Sequence, residues 1–187
     1  MQTITALFDD YDDAADAVGE LESMGVPTSD LSIIANNADG RHSSPAAEDA
    51  ASGAGIGAVV GGVGGLATGL GAMAIPGVGP VVAAGWLAAT AAGAVAGAVV
   101  GGAAGGIIGS LTDGADVSES NAHVYAEGVR RGGTLVTARV EDDLAPQVQA
   151  ILRDSRSVDV AERRNEYEAG GWTGFDPAAA NYRQHSK

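Results

Sequence analysis

From Ala50 to Thr112 the chain runs for 63 residues without a single Asp, Glu, Lys, Arg or His, and all 34 of its Lys, Arg, Asp and Glu side chains lie outside that block. A run of this kind suits packing against protein or lipid far better than exposure to water, and it divides the chain into two charged flanks.

Inside the block glycine recurs every fourth residue, at Gly53, Gly57, Gly61, Gly65 and Gly69 and again at Gly93, Gly97, Gly101, Gly105 and Gly109; Gly85 and Ala89 extend the second row backwards. On a helix turning about 100° per residue the first row occupies one side, while Ile56, Val59, Val60, Val63, Leu66, Leu70 and Met73 gather on the other. Small-xxx-small rows let helix backbones approach closely, so these ten glycines are candidate packing and oligomerisation positions. Between the rows, Pro76, Gly77, Gly79 and Pro80 break any helix and form a candidate hairpin turn.

The pattern predicts a Gly/Ala-rich helical hairpin within residues 50–112, with arms of about 53–75 and 81–111. At ~1.5 Å per residue the arms would measure roughly 34 and 46 Å, against a hydrocarbon layer of ~30 Å. Two crossings would return both flanks to one side. The first arm, however, carries eight large apolar residues against nine glycines, so insertion would be marginal. Glycine also costs a water-exposed helix about 1 kcal/mol per residue. Two settings therefore stand beside a low-complexity segment: the inner membrane, with both termini cytoplasmic, and a soluble homo-oligomer. The partners expected are another copy of the chain and a lipid bilayer.

The flanks predict the rest of the fold. Residues 2–8 alternate as a strand with Ile4, Ala6 and Phe8 on one face; the Asp9–Asp13 cluster then opens a helix with Ala14, Ala15, Val18, Leu21 and Met24 on its apolar side. Gly25 stops that helix, residues 31–35 read as a strand, and Asn36 to Gly40 read as a turn. After the block, residues 119–131 form a linking helix. Val136 to Asp142 then mirrors Ile4 to Asp10, followed by a helix stripe of Val148, Ile151 and Leu152 and a closing strand at Val158 and Val160. Two such halves, 1–45 and 117–162, predict an α+β fold: a ferredoxin-like βαββαβ sandwich, one sheet covered on one face by two helices, split by the hairpin. Residues 163–187 read as a flexible tail in which Trp172 and Phe175 are candidate anchors.

Chemistry is sparse. There is no cysteine, hence no disulfide or thiolate site. A net charge of −14 repels phosphates and argues against a nucleic-acid partner. Gly53-Ala54-Gly55-Ile56-Gly57-Ala58 and Gly62-Val63-Gly64-Gly65-Leu66-Ala67 imitate a dinucleotide fingerprint but lack its strand and its acidic residue. The aspartate cluster lacks calcium-loop spacing and reads as helix-terminal capping. His42, His123 and His185 have no neighbour at ligand spacing, and Arg130-Arg131 and Arg163-Arg164 read as solvated or paired. No catalytic, cofactor or metal residue is expected. The first residues lack the pattern of a secretory signal, which makes a cytoplasmic protein the default expectation.

Ala6-Leu7-Phe8-Asp9, the run Ile75 to Gly85, the segment Ala122 to Val136 with its Glu127-Gly128-Val129-Arg130-Arg131-Gly132-Gly133, and Gly171-Trp172-Thr173-Gly174-Phe175 together resemble the bacterial general stress, or low-temperature-induced, protein family. The resemblance implies an induced stress protein with a split α/β domain and a glycine-zipper insertion, and no established reaction. The expected function is a non-enzymatic stress-related protein that self-associates or inserts in a membrane through the hairpin. The alternative is a ligand- or partner-sensing ferredoxin-like module in a soluble oligomer.

Overall fold

The computed structural model describes residues 1–40, 71–75, 77–90 and 107–178. They form a mixed α+β body around a five-stranded antiparallel sheet. Its strands are β1 (Gln2–Phe8), β2 (Leu31–Asn36), β3 (Gly71–Ile75), β4 (Gly79–Gly85) and β5 (Thr134–Val140), in the spatial order β1-β5-β2-β4-β3. The longer helices are α1 (Tyr11–Ser23), α2 (Glu119–Arg130), α3 (Ala145–Asp154) and α4 (Val160–Ala169).

The mirrored segments of the two flanks are direct neighbours in space, β1 pairing with β5 from Gln2↔Val140 to Phe8↔Thr134. β5 in turn pairs with β2 from Leu31↔Ala138 to Ala35↔Thr134. Since β1 and β2 both run antiparallel to β5, they are parallel to each other, joined over one face by α1. That helix starts at the aspartates and stops where Gly25 takes φ +99°.

The period of two then sorts the strands into two cores. On one face Ala6, Phe8, Ile33, Ala35, Val82, Ala84, Val136 and Ala138 pack on Ala17, Val18 and Leu21 of α1 and on Val148 and Leu152 of α3. On the other face Leu7, Ile34, Val81, Ala83 and Leu135 pack on Ala122, Tyr125, Ala126 and Val129 of α2, on Leu87, Ile107 and Leu111, and on Phe175. Helices therefore cover both faces of the sheet, where one covered face was expected.

The helical hairpin is corrected over residues 71–85. The run that reads as the end of one arm, a turn and the start of the next forms a β-hairpin, β3 pairing with β4 from Gly71↔Ala83 to Ile75↔Gly79. β4 joins the main sheet through β2, from Ser32↔Gly85 to Asn36↔Val81. The four-residue glycine spacing imitates a helix face, but Val81-Val82-Ala83-Ala84 is a short apolar run that a doubly buried strand suits equally well. Gly77 and Gly79 do lie at the turn, at φ +77° and +102°, with the Val78 N–H donating to the Ile75 carbonyl at 3.1 Å. Pro80 is exposed at the start of β4. Pro76 lies outside the described residues, as do Gly53, Gly57, Gly61, Gly65, Gly69, Gly93, Gly97, Gly101 and Gly105. Gly109 is half-buried at the end of a helical turn, Ile107–Gly109, which continues as a π-helical turn, Ser110–Gly114.

Two further expectations change. No closing strand forms at Val158 and Val160: the Val158 N–H makes one backbone bond to the Leu7 carbonyl, 2.7 Å, and Val160 already begins α4. The tail is helical from its start, because Asp159 accepts from the Ala161 and Glu162 N–H groups at 2.9 Å each and so caps α4.

Gly85 ends β4 at φ +90°, where a β-carbon would run into the Leu31 carbonyl oxygen and the Ser32 Cα. Gly85→Ala is expected to destabilise the protein by about 2 kcal/mol or more, through left-handed strain and this clash together. Gly19→Ala, in the open on α1, should instead stabilise by up to ~1 kcal/mol. Denaturant unfolding of the two variants measures both values.

Candidate functional site

The C-terminal segment docks across the sheet and reaches the β3–β4 turn. Phe175 is buried in the second core, its backbone N–H donating to His123 Nδ1 of α2 at 3.1 Å. Phe175, Asp176 and Pro177 crowd the turn so closely that a β-carbon at Gly77 would strike all three. Trp172 is half-buried and meets Tyr167 of α4 edge-on, ring centroids 5.6 Å apart, while its Nε1 has no hydrogen-bond acceptor among the described residues. Both aromatics thus contact the chain's own body.

A charged cluster holds α4 in place. Glu127, 1% exposed, accepts from Arg130 Nε (2.8 Å) and Nη2 (2.6 Å) and from Arg131 Nε (2.6 Å). Arg131 stacks on the Tyr167 ring with its guanidinium carbon 4.2 Å from the centroid. On the far side Arg163 binds both carboxylate oxygens of Asp9 at 2.7 and 2.8 Å, and this hydrogen bonding holds the Asp9 carboxyl below its usual pKa. The aspartate cluster therefore serves long-range pairing: Asp9 meets Arg163 and Asp13 meets Arg156 (3.1 Å), whereas Asp10 at the start of α1 makes no side-chain cap.

The second face of the sheet is apolar under α2 but changes character towards the start of β1 and the end of β5. Thr5 stands opposite Thr137, and Thr3 opposite Arg139. The Tyr125 hydroxyl donates to the Thr5 carbonyl at 3.1 Å. Arg139 lies over the Trp86 ring, its guanidinium carbon 3.4 Å from the centroid, and the Trp86 indole N–H donates to the Asp30 carbonyl at 3.3 Å. Sequence reasoning missed this strip because it joins segments far apart in the chain, the matching Ile4-Thr5-Ala6 and Val136-Thr137-Ala138 being the available signal; the Glu127 pairs with Arg130 and Arg131 are at helical i,i+3 and i,i+4 spacing, and the remote member of that cluster is Tyr167. Among the described residues no group of three or more His, Asp or Glu side chains is placed to hold a metal ion.

Compared with protein-family models, with curated proteins and with solved structures, the chain matches none.

Burial pushes the Tyr125 phenol up to about 12 from an ordinary value of 10. The folded state favours the protonated ring, so this contribution to stability is complete below pH 10 and is lost as pH rises from 10 to about 12. Tyr125→Phe is expected to lose about 1 kcal/mol at neutral pH, with the Thr5 carbonyl left without its donor, and to flatten the decline above pH 10. Urea unfolding across pH 7 to 12 measures both effects.

Proposed function

We propose that this chain is a non-enzymatic, stress-related protein that associates with further copies of itself through two Gly/Ala stretches displayed by its α/β body. The observation that carries this reading is the pairing of β4 with β2. It places residues 71–85, the middle of the uncharged block, inside the sheet, so the stretch after Gly40 and the stretch after Thr90 each begin and end on the body.

That tethering favours association over a two-armed transmembrane hairpin. Each stretch would have to cross a bilayer an even number of times to return. Residues 91–106, as a helix at ~1.5 Å per residue, reach about 24 Å, short of one ~30 Å crossing. Among the described residues no helix is long and apolar enough to cross a membrane. The small-xxx-small rows of Gly53 to Gly69 and Gly93 to Gly105 remain suited to close backbone contact between copies, and anchored ends reduce the conformational freedom lost on association. The stress role rests on the resemblance of the turn and of the Glu127 to Gly133 segment to the general stress family.

We read the body itself as a variant of the ferredoxin-like sandwich. β1 and β2 flanking an antiparallel β5 is the split βαβ arrangement, and the Val158 bond to Leu7 lies on the β1 edge where the remaining strand of that fold would pair. The β3–β4 hairpin extends the opposite side.

Gly61→Leu and Gly97→Leu are expected to reduce the oligomer towards monomer at equal concentration in sedimentation velocity, with the far-ultraviolet circular dichroism of the body retained. Unchanged oligomer size in both variants, or a wild-type chain that pellets with membranes and resists a carbonate wash, would overturn the proposal.

A further inference from the structure

Beyond Trp172, which is held to α4 by its N–H on the Tyr167 carbonyl at 3.0 Å, the C-terminal segment is fastened by very little. Phe175 is the one buried residue of 173–178, while Thr173, Asp176 and Ala178 are exposed. From Thr173 to Ala178 a single hydrogen bond ties the segment to the rest of the described residues, the Phe175 N–H donating to His123 Nδ1 at 3.1 Å. The bond from the Ala178 N–H to Asp176 Oδ1, 2.8 Å, stays within the segment. Gly174, at φ +153°, supplies a joint between Trp172 and Phe175.

That one bond fixes the state of the imidazole. A ring nitrogen that accepts must carry a free lone pair, so the ring is neutral with its proton on Nε2. In the imidazolium both nitrogens are donors, and an Nδ1–H would then point at the Phe175 N–H. Histidine is the side chain whose charge changes between about pH 5 and 8. His123 is half-buried, which leaves the ring open to solvent protons.

The charged groups around the ring are committed elsewhere. On α2, Glu119 and Glu127 stand four residues to either side, and Glu127 is taken up by Arg130 and Arg131. From α4, Arg163 binds Asp9, Arg164 Nη2 donates to Asn121 Oδ1 at 2.6 Å, and Tyr167 lies against Arg131. The π-helical turn carries Asp113, β5 carries Arg139 on Trp86, and β2 and Ile107–Gly109 carry no ionisable side chain. Among the described residues none forms an ion pair with the imidazole. The cost of protonation therefore falls on the Phe175 bond.

We propose that residues 173–178 are a pH-sensitive latch, held closed over the β3–β4 turn by neutral His123 and released when His123 is protonated. Release draws Phe175 out of the second core and uncovers Gly77, which Phe175, Asp176 and Pro177 crowd in the closed form. The sign follows from the bond: closure is favoured while the ring is neutral and is lost as pH falls through its titration. The latch lies outside the Gly/Ala stretches, and its readouts do not depend on oligomer size.

The experiment is NMR of the full chain between pH 8 and pH 5. At pH 8 the His123 ring should be the Nε2–H tautomer, and on acidification the Phe175 amide and the His123 ring should titrate with one midpoint. Protection of the Phe175 amide from solvent exchange, relative to an unstructured peptide at the same pH, should fall at least about tenfold across the step. Leu135 and Val136 in β5 should keep theirs. His123→Asn offers an acceptor oxygen at every pH and should hold the segment closed with no step, whereas His123→Leu should leave it open at both ends of the range. Asp176→Asn should leave the step in place. An Nδ1–H tautomer at pH 8, a Phe175 amide indifferent to pH, or a step that survives His123→Asn would overturn the proposal. So would a step abolished by Asp176→Asn, or loss of protection in β5 together with the segment.

Discussion

Five residue pairs, from Ser32↔Gly85 to Asn36↔Val81, attach the β3–β4 hairpin to β2. Without that ladder β2 would be a sheet edge, and Ile34 would lose Val81 and Ala83 as neighbours on the second face. The ladder also explains Gly85: its left-handed φ of +90° and the absence of a side chain let β4 close against Leu31 and Ser32 before the chain turns into residues 86–90. Trp86, carried just beyond that glycine, can then bind Asp30 and receive Arg139. One ladder thus sets the far side of the sheet, the Trp86–Arg139 stack and the starting points of both Gly/Ala stretches.

A second set of contacts locks the C-terminal segment over the same face. The Glu127 to Gly133 segment has a close-packing role: Glu127 gathers two arginines, Gly128 lets α2 settle on Leu7, and Gly132 reverses the chain at φ +113°. Buried Glu127 is tolerable because its carboxylate is charge-compensated and hydrogen-bonded; removing it would strand cationic groups beside Tyr167. Phe175 at the Gly77 turn then joins the last described segment to the middle of the uncharged block. Residues nearly a hundred positions apart become one packed unit.

Legibility followed the number of signals that agreed. β1, α1, β2, α2, β5 and α3 each combine a hydrophobic period with a start or stop residue, and all six form near their expected positions. The β-hairpin was hidden because glycines spaced by four and a continuous apolar run satisfy a helix and a buried strand alike. α4 was hidden by composition, since Tyr167 is its one buried residue, although Asp159-Val160-Ala161-Glu162 has the capping-box spacing that marks a helix start. The pairing of Arg139 with Trp86, and of Thr5 with Thr137, depends on strand order, which no local pattern encodes.

The account depends on residues 71–85 being strand and belonging to the sheet. The most direct measurement is backbone NMR of the full chain with amide hydrogen exchange across β4. The account predicts extended Cα shifts for Val81 to Ala84, Hα–Hα contacts in the register of β4 with β2, and amide protection in β4 comparable to that of Leu135 and Val136 in β5. Helical shifts over residues 71–85, with no contacts to Leu31–Asn36, would contradict it.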